Sequence, residues 1–136
     1  SHELMTVKDL APTLLEFAGI QYPSGAYDGR KILPQTGKSF AGRLSGNGPA
    51  IHTQEEVFGW ELFKRRAVIK GDWKLLWLDA PFGKDRWQLF NLRVDPGETQ
   101  DLAETESRKL AEMIAAWHMY AAENNVIIGD GPLILP

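Results

Sequence analysis

At 136 residues and 15.3 kDa, with 43% hydrophobic and 24% charged residues, the chain has the size and balance of one globular domain with a single core. Its formal charge of -3 gives no basic field for counterion release, which argues against nucleic acid as a partner. With no cysteine, a disulfide framework, thiolate metal site or cysteine nucleophile is excluded, and no apolar run approaches the roughly 20 residues of a membrane span.

The chain begins with Ser1 rather than Met and lacks a signal-peptide pattern, which predicts a piece cut from a longer protein. Cytoplasm and periplasm both remain open. Residues 7–18 place Leu10, Leu14, Phe17 and Ala18 at helical spacing, so an N-terminal helix with a buried apolar face is expected. Asp9 suits its N-cap, Pro12 its first turn and Gly19 its close. Residues 22–48 are rich in Gly, Pro, Ser and Asp, with one helical turn's worth of apolar residues at Phe40, Ala41 and Leu44. A loop of this length in a compact domain generally leans on another surface.

Short β-type runs follow at 50–52, 57–62, 66–70, 73–78 and 87–92. Gly71-Asp72 marks a two-residue hairpin that would set Val68 opposite Leu75 and Ile69 opposite Lys74. Ala67, Ile69, Leu76 and Leu78 then form the more apolar face, which is expected to be the covered one. Residues 79–85 form a Pro/Gly-bearing turn, and Asp95-Pro96-Gly97-Glu98 a second. Residues 106–125 place Leu110, Met113, Ile114, Trp117, Tyr120 and Ala121 on one stripe of a long helix that would cover the sheet. Asn124-Asn125 can end it, and residues 129–136 read as an extended tail. The expected class is α+β: a small antiparallel sheet of about four strands packed on a long C-terminal helix, with an N-terminal helix and a long irregular loop. As one domain, residues 1–20 are the helix, 21–49 the loop, 50–94 the sheet, and 95–136 the turn, long helix and tail.

No phosphate loop, His-Glu-x-x-His pair or Gly-x-Ser-x-Gly elbow is present. His2, His52 and His118 lack metal-ligand spacing; His118 falls at the flank of the last stripe, and His52 stands at the sheet edge beside the long loop. Glu55-Glu56, and Asp79 with Asp85, are the acidic pairs, and both read more simply as solvated loop carboxylates than as cation ligands. The five tryptophans with Phe58 and Phe63 could stack sugars or bases, though at strand spacing they more often form core. Lys64, Arg65 and Arg66 make a small basic patch that could guard a strand edge.

Three segments in register resemble one family. Asp9-Leu10-Ala11-Pro12-Thr13-Leu14-Leu15, closing at Ala18-Gly19-Ile20, resembles the Asp-hydrophobic-x-Pro-Thr helix that follows the catalytic core of sulfatases. Gly59 to Phe63 and Arg66 to Leu75 are similar to strands of the arylsulfatase C-terminal subdomain. Trp87 to Ala103 resembles the closing signature of that family, with Phe90 and Asn91 standing for Tyr-Asp and Asp101 for Asn. Asp95 and Glu98 then have structural roles in the turn.

The resemblance implies a parent that hydrolyses sulfate esters with a formylglycine nucleophile and a calcium ion. This chain contains no Cys, no Ser-x-Pro-x-Arg and none of the family's metal-ligand motifs, so no catalytic or metal residue is assigned in it. Calcium and formylglycine are expected in a catalytic core N-terminal to it. That core is the expected partner, a small-molecule sulfate ester the expected substrate of the parent, and self-association of the chain a possible consequence of an uncovered face; neither nucleic acid nor membrane is expected. His52, Glu56 and Trp60 are the expected residues at the rim of the substrate pocket. The alternatives are part of a phosphonate monoester or phosphodiester hydrolase of the same superfamily, and an independent carbohydrate-binding or interaction module using exposed tryptophans.

Overall fold

The computed structural model describes residues 3–46 and 48–129. They fall in two compact units, Ser1–Thr53 and Gln54–Pro136. The expected tail beyond Gly129, like His2, lies outside the described residues.

The first unit opens with a 3-10 turn, Val7–Asp9, running into helix α1, Leu10–Phe17. Gly19 closes α1 with a φ of 65°, the left-handed position expected for a helix end. Strands β1, Ala26–Tyr27, and β2, Arg30–Lys31, then form a hairpin, and α2, Ala41–Leu44, supplies the helical turn anticipated from Phe40, Ala41 and Leu44. Asp28 and Gly29 both have positive φ, 48° and 71°, as a two-residue primed turn requires. Two expectations fail in this unit. Residues 50–52 form no strand. The face of Leu10, Leu14 and Phe17 is exposed, Leu14 to 66%, whereas the buried residues of this region are the polar Asp9 and Thr13.

The second unit is a four-stranded antiparallel sheet in the order β3-β4-β5-β6, with β3 Val57–Leu62, β4 Arg65–Lys70, β5 Trp73–Trp77 and β6 Trp87–Asn91. Gly71, at a φ of 57°, turns β4 into β5 in the expected register, Val68 opposite Leu75 and Ile69 opposite Lys74. The long helix α3, Ser107–Glu123, packs across β3, β4 and β5. The architecture is thus mixed α+β, a four-stranded antiparallel sheet with a long C-terminal helix and an N-terminal helix.

The stripe of α3 is the expected one: Met113 and Trp117 are buried, and Leu110, Ile114, Tyr120 and Ala121 pack at their margins. The covered face of the sheet is the opposite of that expected. Val68, Leu75 and Leu89, aligned across three strands, are fully buried against Met113, Trp117 and Ala103, while Ala67, Ile69 and Leu76 point to the other side. Volume explains the choice. Trp73, Trp77 and Trp87 share the side of Val68 and Leu75, and aromatic rings bury far more surface than Ala, Ile and Leu. The cations that made this face look mixed keep their heads in polar company while their stems cover apolar surface. Arg66 lies over the rings of Trp77 and Trp87, 4.9 and 5.8 Å from their centroids, and Lys70 reaches Glu55 and Glu112 at 3.0 and 3.3 Å.

Close approach fixes one glycine. Gly59 of β3 lies beneath the ring of Tyr120, where a Cβ would collide with it. Trp117 continues from Tyr120 at 5.9 Å between centroids, and Trp87 and Trp77 extend the aromatic row at 6.0 and 5.3 Å.

Candidate functional site

In the first unit the polar residues of the Asp-x-x-x-Thr segment turn inward. Asp9 is the N-cap of α1 by position, but its carboxylate makes no cap bond to that helix, contrary to expectation. It reaches back instead, accepting from the Thr6 N–H at 2.7 Å and the Thr6 hydroxyl at 3.0 Å. Its other oxygen accepts the Lys38 N–H at 2.8 Å, and His52 Nε2 donates to Oδ2 at 2.9 Å. Burial alone pushes the Asp9 carboxyl up, but the bonds from His52, the Lys38 N–H and Thr6 outweigh it and hold it at about 2, below the ordinary 3.8.

Thr13, one turn on, donates its hydroxyl to the Asp9 carbonyl at 2.6 Å and accepts the Phe40 N–H at 3.0 Å. Asp9 and Thr13 therefore fix residues 38–40 and His52 to the start of α1. Gly37 completes the approach, since a Cβ there would meet the Lys8 carbonyl. With the inward side of the helix occupied by this polar clamp, its apolar residues face outward. Val7, Leu10, Leu14, Phe17 and Ile20 are all exposed, and a contiguous apolar strip of this kind marks an interaction surface rather than a catalytic one.

The second unit keeps its polar chemistry for structure. Asp101 Oδ1 accepts the N–H groups of Leu89 and Ala103, both at 3.1 Å, and the Leu102 N–H donates to the Leu89 carbonyl at 2.7 Å, so the outer edge of β6 is paired. Burial raises the Asp101 carboxyl, but those two amides with Lys84 and Arg86 lower it overall. Arg86 sits 3.0 Å away, balancing the charge that an asparagine would not carry. Asn91 accepts the Arg93 N–H at 3.1 Å, the local bond an aspartate would make. Asp95 caps its turn through Thr99 and Gln100, and Glu98 pairs with Lys74 at 2.6 Å.

The three expected rim residues are distributed over both units. His52 belongs to the first, with its side chain nearly buried and engaged by Asp9. Glu56 precedes β3 and is half-buried, and Trp60 lies within β3, 45% exposed. Trp60 is on the sheet side away from α3, and the other tryptophans, Trp73, Trp77, Trp87 and Trp117, line the covered side. His118 is exposed on α3. Among the described residues no group of three or more His, Asp or Glu side chains is placed to hold a metal ion. The inward roles of Asp9 and Thr13 lacked a sufficient local signal, because beyond Thr6 and the Asp9 carbonyl their partners Lys38, Phe40 and His52 stand 27 to 43 residues away.

No protein-family model matches the chain. It is 35% identical over 127 residues to an uncharacterized sulfatase of Schizosaccharomyces pombe, a match covering 93% of this chain and 23% of that protein. A crystal structure from Bacteroides thetaiotaomicron assigned to the sulfatases superposes with a TM-score of 0.62 at 24% identity, over 91% of this chain and 27% of that one. The 2-O GAG sulfatase BT1596 superposes at 0.61 with 26% identity, over 87% of this chain and 25% of that one. The chain thus spans about a quarter of the length of the proteins it matches. Sequence and fold agree along nearly all of it: the chain is similar to about a quarter of a sulfatase and resembles the C-terminal subdomain of that family.

Proposed function

We propose that the chain serves as the C-terminal subdomain of a sulfuric ester hydrolase, seated on an N-terminal catalytic core and contributing no chemical step of its own. The observation that carries this is the exposed strip of Val7, Leu10, Leu14, Phe17 and Ile20. Five large apolar residues along α1 and its two flanks, exposed while Asp9 and Thr13 are buried, have the character of half an interface. A parent about four times as long, by the share of its relatives that the chain spans, would supply the other half.

The formylglycine and calcium of this reaction do not fit the residues present. The sequence has no cysteine and no Ser-x-Pro-x-Arg, and the described residues hold no cluster of metal ligands. Both groups belong to the core in this proposal. Glu56, half-buried just before β3, and the exposed Trp60 within it are the residues of this unit assigned to the rim of a substrate pocket held by that core. His52 is held within the first unit by its bond to Asp9. The 2-O GAG sulfatase neighbour suggests a sulfated saccharide as the substrate class.

The test is a segment exchange. The 136-residue chain replaces the matched segment of the S. pombe sulfatase, and hydrolysis of nitrophenyl sulfate with calcium is assayed for the exchanged protein and for the chain alone. Activity in the first and none in the second is expected; turnover by the chain alone rejects the proposal.

A further inference from the structure

The sheet has two edges, and they are finished differently. Backbone groups along an antiparallel ladder point alternately to one neighbour and the other, and on β6 those of Leu89 point outward. Both are taken: Asp101 Oδ1 accepts the Leu89 N–H at 3.1 Å, and the Leu102 N–H donates to the Leu89 carbonyl at 2.7 Å. On β3 the two-residue turn closes on the pair Leu62 and Arg65, so Leu62, Trp60 and Phe58 bond inward to β4, while Val57, Gly59 and Glu61 turn their backbone groups outward. Among the described residues nothing donates to or accepts from those outward groups.

β3 also lacks what ordinarily blunts an edge. Its six residues pair with β4 in unbroken register, so it has no bulge, and it contains neither proline nor lysine. Its one charge, Glu61, already accepts the Lys64 N–H at 2.8 Å. Val57, Trp60 and Leu62 are exposed. An open row of donors and acceptors of this length is a template for one more strand.

The strand that fits best is β3 itself. In an antiparallel copy centred on Gly59, Gly59 meets Gly59 of the partner and Val57 meets Glu61, and each of these outward pairs exchanges two hydrogen bonds. Between them, at the closely spaced positions, Phe58 of one copy faces Trp60 of the other, twice, on the side of the sheet away from α3. Centring on Glu61 would instead oppose two carboxylates, and centring on Val57 would leave most of the strand unpaired. We propose that β3 pairs antiparallel with β3 of a second copy of this chain about Gly59, joining two four-stranded sheets into one continuous sheet. The pairing uses none of the α1 strip and stands independently of the proposed function. Six residues a side are fewer than the roughly 20 of a standard interface, so the dimer is weak, dissociating at roughly micromolar to millimolar concentration.

Sedimentation of the 136-residue chain over a concentration series reaching about 1 mM should show a monomer–dimer equilibrium. Val57→Pro removes an outward N–H rather than a bond to β4, a place where edge strands accept proline. It should leave the unfolding midpoint nearly unchanged and weaken the dimer at least about tenfold, since symmetry removes the bond twice. Leu14→Asp with Phe17→Asp should leave the dimer as strong as before. Because the chain has no cysteine, the register can be read chemically. Phe58→Cys and Trp60→Cys chains, mixed under oxidising conditions, should become linked by a disulfide, because facing residues at these positions have Cα atoms about 4.5 Å apart. Neither chain alone should link to the same extent. A dimer untouched by Val57→Pro, a dimer lost with the two α1 aspartates, or linkage in either single chain equal to that in the mixture would overturn the proposal. So would a monomer at every concentration, which would leave this edge to a strand of a different protein.

Discussion

His52 Nε2 donates to Asp9 Oδ2 across 2.9 Å, and the acceptor is a fully buried carboxylate. Because Asp9 is held at about 2 in the fold against 3.8 unfolded, its ionised form stabilises the first unit above about pH 4. That contribution, roughly 2 kcal/mol, is lost as pH falls from about 4 towards 2. Urea unfolding of the first unit, followed across this range, should show the loss in the natural sequence and little of it in Asp9→Asn. Asp9→Asn and His52→Ala should each cost about 2 to 4 kcal/mol at pH 7, and the double variant less than their sum.

Gly59 and Tyr120 make a second coupled pair. Gly59→Ala places a methyl group in the ring of Tyr120 and should lower stability by about 1 to 3 kcal/mol. In the Tyr120→Ala background the same change should cost much less. Equal costs in both backgrounds, measured by thermal unfolding, would show that the ring does not set the residue at position 59.

The helix-covered sheet shows what local pattern conveys and what it misses. Gly71-Asp72 determined the register of β4 against β5, and the spacing of Leu110, Met113, Ile114 and Trp117 located the inward stripe of α3, because a turn and a helical period are local properties. The covered face was misjudged because Arg66 and Lys70 count as charges in a pattern, although their stems lie over rings and their heads find partners. The β1–β2 hairpin had a visible signal in Asp28-Gly29, but strands of two residues are too short to show alternation. In α1 the apolar period was real and its direction was reversed, since what draws the helix inward is a set of polar bonds to Lys38, Phe40 and His52 that no local window contains. The expected rim residues came from chain position beside the long loop, and only Glu56 and Trp60 are in the same unit.

Asp101 tests the role of a charge at the edge of β6. Asp101→Asn keeps an acceptor for the Leu89 and Ala103 amides and should shift stability by less than about 1 kcal/mol, since the ion pairs it loses are partly solvated. Asp101→Ala strips both amides of their partner and should cost about 2 kcal/mol. Denaturant midpoints of the two variants distinguish the cases; equal losses would assign the stability to Arg86 rather than to the amides.

The outward strip of α1 carries the whole functional proposal, so it takes the most direct measurement. Leu14→Asp with Phe17→Asp is introduced into both the free chain and the chain exchanged into the S. pombe sulfatase. Both residues are exposed, so the unfolding midpoint of the free chain should move by no more than about 0.5 kcal/mol equivalent. Sulfate ester hydrolysis by the exchanged protein should fall at least about tenfold, as the core loses its seat. Full activity with both aspartates in place would show that nothing docks on this face and would contradict the account.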